Sequence, residues 1–417
     1  MSSQSSSSKS ANSKSANLKS IGIAGAGIIG RLIALELNRQ GHKVTIFDQD
    51  PMVSDNLCDF LYPPHQPNGA VSENSVPNLG TSACSYTAAG MLTPFSEAET
   101  AEPLVVELGI KSQQLWPALA KSLGAEVFYR EGGTLIIAHR QDTADFNRFL
   151  ASVQANIPDS SNQMPLLNQQ QIAELEPELG ERFQQAAYAP NEAWLCTCCV
   201  MPALANTLLE QQVPWYGSTN VLSVDPGEIV VKARTGSRSH QFDWTIDCRG
   251  LGAKSQLPQL RGVRGEILWI RAPEVKINRL VRLMHPRYRI YIIPRRDDLY
   301  LIGATQIESE DKGPVTVRSS LELLSAAYSV HPGFGEAQIV HSDVNLRPAF
   351  PNNQPQVLVE STSTEQGLIR VNGLFRHGYL MSPAIAQEVA AYIAADGDYQ
   401  STFSHLFQHQ NSSEVTA

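Results

Sequence analysis

Three glycines within six positions, Gly25-Ala26-Gly27-Ile28-Ile29-Gly30, and a carboxylate eighteen residues later at Asp48 have the types and spacing of a dinucleotide site. Gly25 permits a tight turn, Gly27 lets the backbone approach a pyrophosphate, and Gly30 lets a helix pack closely on a strand. The N–H groups that open the helix, at Ile28 and Ile29, then face the phosphates together with the positive end of the helix dipole. Asp48 stands where a carboxylate accepts hydrogen bonds from a ribose, and it would repel a 2′-phosphate, so NADP is disfavoured while FAD and NAD both remain. A chain binding both would carry a second fingerprint. The stretches from Gly250 ("GLGAKSQ") and Gly333 ("GFGEAQ") lack the third glycine and the preceding strand.

The elements needed to position these groups are legible around them. Ile21 to Ala24 is a short apolar run, Ile29, Leu32, Ile33 and Leu37 recur at helical spacing, Gly41 closes the helix, and Lys43 to Phe47 alternates as a second strand. The unit is βαβ. Further on, Gly132–His139, Arg264–Ala272, Arg289–Arg296 and Leu299–Gln306 read as strands, and Phe242–Ser255 as a strand ending in a small-residue turn that returns to the first sheet. A helix from Val317 to Tyr328 carries Val317, Leu321, Leu324 and Tyr328 on one stripe. The small residues from Ala83 to Gly90, among them Ser85 and Ala89, suit either close approach of backbone to a flat ligand or a tightly packed helix start. The fold class is α/β: a Rossmann-type domain with a second domain on a mixed or antiparallel sheet.

Composition narrows the partners. A net charge of −9 offers no footprint for nucleic acid. No apolar run approaches the roughly 18 residues of a membrane span. Half of the first twenty residues are serine, which reads as a disordered tail and a cytoplasmic protein. Residues 51–80, rich in Pro, Asn and Ser, read as an exposed excursion. Cys196, Cys198 and Cys199 in "WLCTCCVMP" include a CxxC spacing, but no second pair or histidine accompanies them, so no metal is expected and they read as buried thiols leading into a helix Pro202–Gln211.

Seven motifs in order resemble the D-amino-acid oxidase superfamily of flavoproteins, in particular its thiamine-pathway glycine oxidase branch: GAGIIG, TAAGML (Thr87–Leu92), VRGEI (Val263–Ile267), YIIPR (Tyr291–Arg295), IGATQIE (Ile302–Glu308), NLRPAFPNNQP (Asn345–Pro355) and NGLFRHGYLMSPAIA (Asn372–Ala386). The resemblance runs from about Ile21 to about Ala395 and implies FAD rather than NAD. It matches Arg347 to the arginine that grips the substrate carboxylate, Arg376 to one lining flavin and substrate, and Tyr291 to an active-site tyrosine. It places Gly90 and Met91 beside the flavin, Val221 near the adenine, Gly250 in the cofactor-binding turn, and His377, Gly378, Tyr379, Leu380 and Met381 along the isoalloxazine. Two motifs depart from the family's pattern: His-Phe-Arg-Asn-Gly becomes Leu374–Gly378, and Trp-Ala-Gly-Leu-Arg-Pro becomes Asp343–Pro348.

The implied activity is oxidative deamination of glycine or a small amino acid through an imine, with oxygen as acceptor, hydrogen peroxide as product and a role in thiazole synthesis. The alternative is a dehydrogenase of the same fold using another acceptor. A homo-oligomer stays open. The implied division gives residues 21–95, about 200–260 and 340–400 to the FAD domain, about 96–199 and 261–339 to the substrate domain, and 401–417 to a tail.

Overall fold

The computed structural model describes residues 18–52, 83–124, 127–287, 289–361, 366–403 and 406–409. The excursion from residue 53 to 80, Cys58 and nearly all of the serine-rich segment lie outside them. Strand β1 (Ser20–Ala24), helix α1 (Ile28–Arg39) and strand β2 (Lys43–Phe47) form the expected unit, with β1 and β2 paired in parallel. Gly25 makes the turn at φ +96° while its N–H donates to Phe47 O, so the glycine loop is tied to the end of β2. A Cβ on Gly30 would stand 2.0 Å from Gly25 O, which is why only glycine lets the helix come this close.

β1 lies inside a seven-stranded sheet, between β2 and a strand from distant sequence. Trp244–Asp247 pairs parallel to β1, and Gly367–Asn372 pairs parallel to Trp244–Asp247. Helix Gly378–Ala394 is buried nearly all round and packs on α1 and on helix Pro103–Ser122, where the Trp116 indole N–H donates to Tyr379 O at 2.9 Å. A second, mixed sheet of eight strands is mostly antiparallel, with Thr134–Ala138 and Leu280–Met284 as its parallel pair. The architecture is therefore the expected α/β fold.

Sheet membership departs from the expected boundaries in three places. Gln338–Ala349, carrying Arg347, belongs to the eight-stranded sheet and pairs along Arg261–Arg271, although residues from 340 were assigned to the first domain. Helix Pro103–Ser122, expected in the second domain, packs mainly on helix Gly378–Ala394 of the first. Phe407–His409, placed in a tail, is an edge strand pairing parallel to Gln356–Ser361. The stripe on helix Val317–Val330 also needs correction: Val317, Leu321 and Tyr328 are 78%, 62% and 55% exposed, and the helix seats Leu323, Ala326, Ala327 and Val330 on the second sheet instead. The helix that contains Pro202 starts earlier than expected, at Thr197.

Candidate active site

One cavity of about 460 Å³ is lined at one end by the glycine turn and Asp48 and at the other by Tyr291 and Arg347. At the first end Asp48 accepts the N–H groups of Ala26 and Asp50, which fixes the carboxylate against the turn. Burial raises its pKa above the usual carboxylate value, partly opposed by those two hydrogen bonds. The Ser85 hydroxyl accepts the Ile28 N–H at 3.0 Å, so a rotatable O–H joins the helix N-terminus in the cavity wall. Gly27 offers bare backbone there: a Cβ would meet nothing within 4 Å except Ser85 Oγ at 3.3 Å. Open backbone, a helix N-terminus and a fixed carboxylate are the donor and acceptor set that a dinucleotide's pyrophosphate and ribose require. The residues present therefore fit FAD.

At the other end the second sheet supplies the charge. Arg347 comes from Gln338–Ala349, and its guanidinium lies over Gly265 on the neighbouring strand. It donates to two backbone carbonyls, Thr305 O at 3.0 Å and Arg264 O at 3.4 Å, and has no acidic partner among the described residues. Burial, reinforced by the neighbouring Arg376 charge, pushes its pKa down to about 10, which leaves it cationic at neutral pH. Such a cation in a cavity wall calls for an anion from outside the chain.

Arg376, by contrast, is matched. Its guanidinium pairs with Glu97 at 3.1 Å, and the Tyr291 hydroxyl donates to the same carboxylate at 2.6 Å. Burial alone would raise the Glu97 pKa, but Arg376, His377, Arg282 and the Tyr291 hydroxyl overcome it and hold it at about 2. Burial, with the Arg376 and Arg347 charges, lowers His377 to about 4 against the opposing pull of Glu97, so the imidazole is neutral near pH 7. Burial pushes Tyr291 well above the usual phenol value. Phe375, at φ +49°, is a strained residue at the bend that presents Arg376.

Most of the expected cofactor residues line this one cavity: Gly25, Gly27, Ile28, Ile29, Asp48, Ser85, Ala89, Gly90, Met91, Val221, Gly250, Arg376, Gly378 and Tyr379. Four do not. Gly30 sits behind the turn as a packing residue, and His377 lines an adjoining cavity. Leu380 and Met381 turn into the core, Leu380 against Gly109, because the helix from Gly378 rotates them away from the wall. Glu97 went unnoticed in the sequence. Its only local signal is "PFSEAE", and its partners Tyr291 and Arg376 lie 194 and 279 residues away.

The family model described as FAD dependent oxidoreductase matches residues 69–392. A relative from Rhizobium etli, named as a thiamine biosynthesis oxidoreductase, is 38% identical over 312 residues, which cover 75% of this chain and 85% of that protein. The glycine oxidase of Geobacillus kaustophilus is 26% identical over 381 residues, 87% of this chain and 89% of the relative. The crystal structure of glycine oxidase from that organism superposes with a TM-score of 0.74 at 24% identity, covering 94% of this chain and 99% of the other, a likeness of fold.

Proposed function

The chain belongs to the FAD dependent oxidoreductase family, and from that premise we propose that it oxidises glycine or a small α-amino acid to the imine, which water converts to the 2-oxo acid and ammonia. The observation that carries this reading is Arg347, a cavity-wall guanidinium with no acidic partner among the described residues, beside an Arg376 that already has one. A planar fork of N–H donors is suited to a carboxylate, which it meets with two parallel hydrogen bonds. In this reading Gly25, Gly27, Ile28, Ser85 and Asp48 hold FAD, Arg347 holds the substrate carboxylate, and Arg376 with Tyr291 shapes the wall between them.

Bound FAD supplies a two-electron acceptor for hydride from the substrate α-carbon. The chain's own task is positioning and proton control. Glu97, held near 2, is too weak a base to take a proton from an ammonium, and the Tyr291 proton is committed to Glu97. The amine must therefore reach the cavity neutral or lose its proton to solvent. The ion pair of Arg376 with Glu97 adds no net charge beside Arg347, so the unmatched Arg347 charge favours a substrate with one carboxylate and a neutral amine. Dioxygen is the acceptor in this reading and leaves as hydrogen peroxide.

The name of the Rhizobium etli relative supports placing the reaction in thiamine synthesis. No helix among the described residues is long and apolar enough to cross a membrane, which is compatible with a cytoplasmic site of action. The test is hydrogen peroxide production by the FAD-loaded protein across glycine, sarcosine and D-amino acids, with Arg347→Ala alongside. Turnover of these substrates without peroxide, requiring an added dye, would replace the oxidase reading with a dehydrogenase.

A further inference from the structure

Cys196, Cys198 and Cys199 read from the sequence as buried packing residues, yet the fold brings their three sulfurs to within 4.8 Å of one another. The local cause is the start of helix Thr197–Glu210. Cys196 is its N-cap in extended conformation, and its carbonyl accepts the N–H groups of Cys199 and Val200 at 3.1 and 3.0 Å. That first turn carries Cys199 back beside Cys196, and Cys198 closes the triangle with its Sγ 3.0 Å from that of Cys196. All three are buried, at 0%, 1% and 7% exposed. We propose that they form a site for one soft, low-coordinate cation of the Cu(I) class, distinct from the flavin and substrate site.

Ligand chemistry decides the class. Soft thiolates select Cu(I) or zinc, whereas calcium, magnesium and manganese prefer oxygen donors. Structural zinc takes four ligands in a tetrahedron, and the described residues gather three. Three sulfurs placed around one metal at about 2.3 Å would stand roughly 4 Å apart, which the observed limit accommodates. Binding exchanges three S–H protons for one cation, so three protons are released and the complex carries two negative charges. Two features complement that charge. The thiols sit at the positive end of a 14-residue helix, and the Arg296 guanidinium reaches Cys199 Sγ at 3.8 Å.

The site is coupled to the cofactor end of the fold by one residue. Leu195, immediately before Cys196, donates its N–H to Gly90 O at 2.9 Å, and its carbonyl would lie 2.2 Å from a Cβ on Gly90, which lines the flavin cavity. Any shift of the cysteine turn on metal binding is thus passed to the backbone that faces the flavin.

The test uses FAD-loaded protein under anaerobic conditions, titrated with Cu(I) against a colorimetric Cu(I) chelator. The expected result is one Cu(I) per chain, a sulfur-to-copper charge-transfer band, and a change in FAD fluorescence at the same stoichiometry. Cys198→Ser and Cys199→Ser should each weaken binding by about 100-fold or more, while Cys248→Ser should leave it in place. X-ray absorption at the copper edge of the unsubstituted protein should count three sulfur ligands, a readout independent of whether any variant folds. Copper that binds equally well to both variants, no copper retained against the chelator, or a centre with two or fewer sulfurs overturns the proposal.

Discussion

The Arg347 guanidinium occupies the space where Gly265 would carry a side chain: a Cβ built there lies 2.4 Å from the guanidinium carbon. The two residues belong to adjacent antiparallel strands in which Arg347 pairs with Val263, so Gly265 is its diagonal neighbour on the same face. Gly265→Ala should displace the guanidinium, lowering kcat/KM for glycine by at least an order of magnitude while FAD absorbance stays unchanged. An alanine variant with parental kinetics would show that the arginine does not need this seat.

Removing the guanidinium itself should cost more. A substrate carboxylate left buried and unpaired in Arg347→Ala is worth roughly 3–5 kcal/mol. At about 1.4 kcal/mol per decade this becomes roughly two to four orders of magnitude in kcat/KM. Arg347→Lys should recover part of the loss, since an ammonium keeps charge without the fork. Steady-state kinetics within a few-fold of the parent for Arg347→Ala would make the arginine structural.

Gly27 tests the cofactor end. Its missing side chain faces the cavity with only Ser85 Oγ nearby, so Gly27→Val adds methyl groups where a pyrophosphate must lie. The variant should fold and purify colourless. Full flavin absorbance in it would sink the assignment of this turn.

The pH profile follows from the site's charges. Glu97 at about 2 and His377 at about 4 have lost their protons before pH 5, so neither titrates between pH 5 and 9. The rising limb of kcat/KM should move with the amine pKa of the substrate used. Above pH 10 activity should fall as Arg347 loses its charge. A rising limb fixed at one pH for all substrates would reveal a protein base.

Stability should depend on pH through Glu192. Burial raises this carboxyl to about 7, against the hydrogen bonds it accepts from the Ser96 N–H and hydroxyl. The folded state then holds a proton that the unfolded state releases near 4.5, so stability falls as pH rises from about 4.5 through 7. The shift corresponds to about 3 kcal/mol. Glu97, depressed to about 2, acts in the opposite sense: its contribution is present above about 4.5 and lost as pH falls towards 2. Denaturant unfolding of Glu192→Gln against the parent should show the difference narrowing at low pH. Parallel curves from pH 4.5 to 7 would rule the carboxyl out.

The sequence made the glycine turn readable because turn, helix and carboxylate sit within thirty residues of one another and each has its own chemical signature. Arg347 and Arg376 were identified through motif resemblance, and the structure adds the distinction between a matched and an unmatched cation. Glu97 was beyond reach, since its meaning lies in partners brought together by the fold. The helix Val317–Val330 shows a different limit. Periodicity finds a stripe but not its direction, and Leu323, Ala326, Ala327 and Val330 repeat at helical spacing as well as the larger residues do. The smaller set won because Ala326 and Ala327 let the helix lie close to the second sheet.

The order of strands in the two sheets bears on how the chain is made. Ile21 stands opposite Val44 on one side and Trp244 on the other, and Trp244 opposite Gly367, so one edge of β1 waits for partners made long after β2. The second sheet waits in the same way, with Arg261–Arg271 paired to Gln338–Ala349. Neither half of the cavity can close on a nascent chain until the strands Gln338–Ala349 and Gly367–Asn372 have been made, and before then β1 is covered on its β2 edge alone. A ligand that binds only the closed cavity, as FAD would, stabilises the finished fold over these late-pairing intermediates.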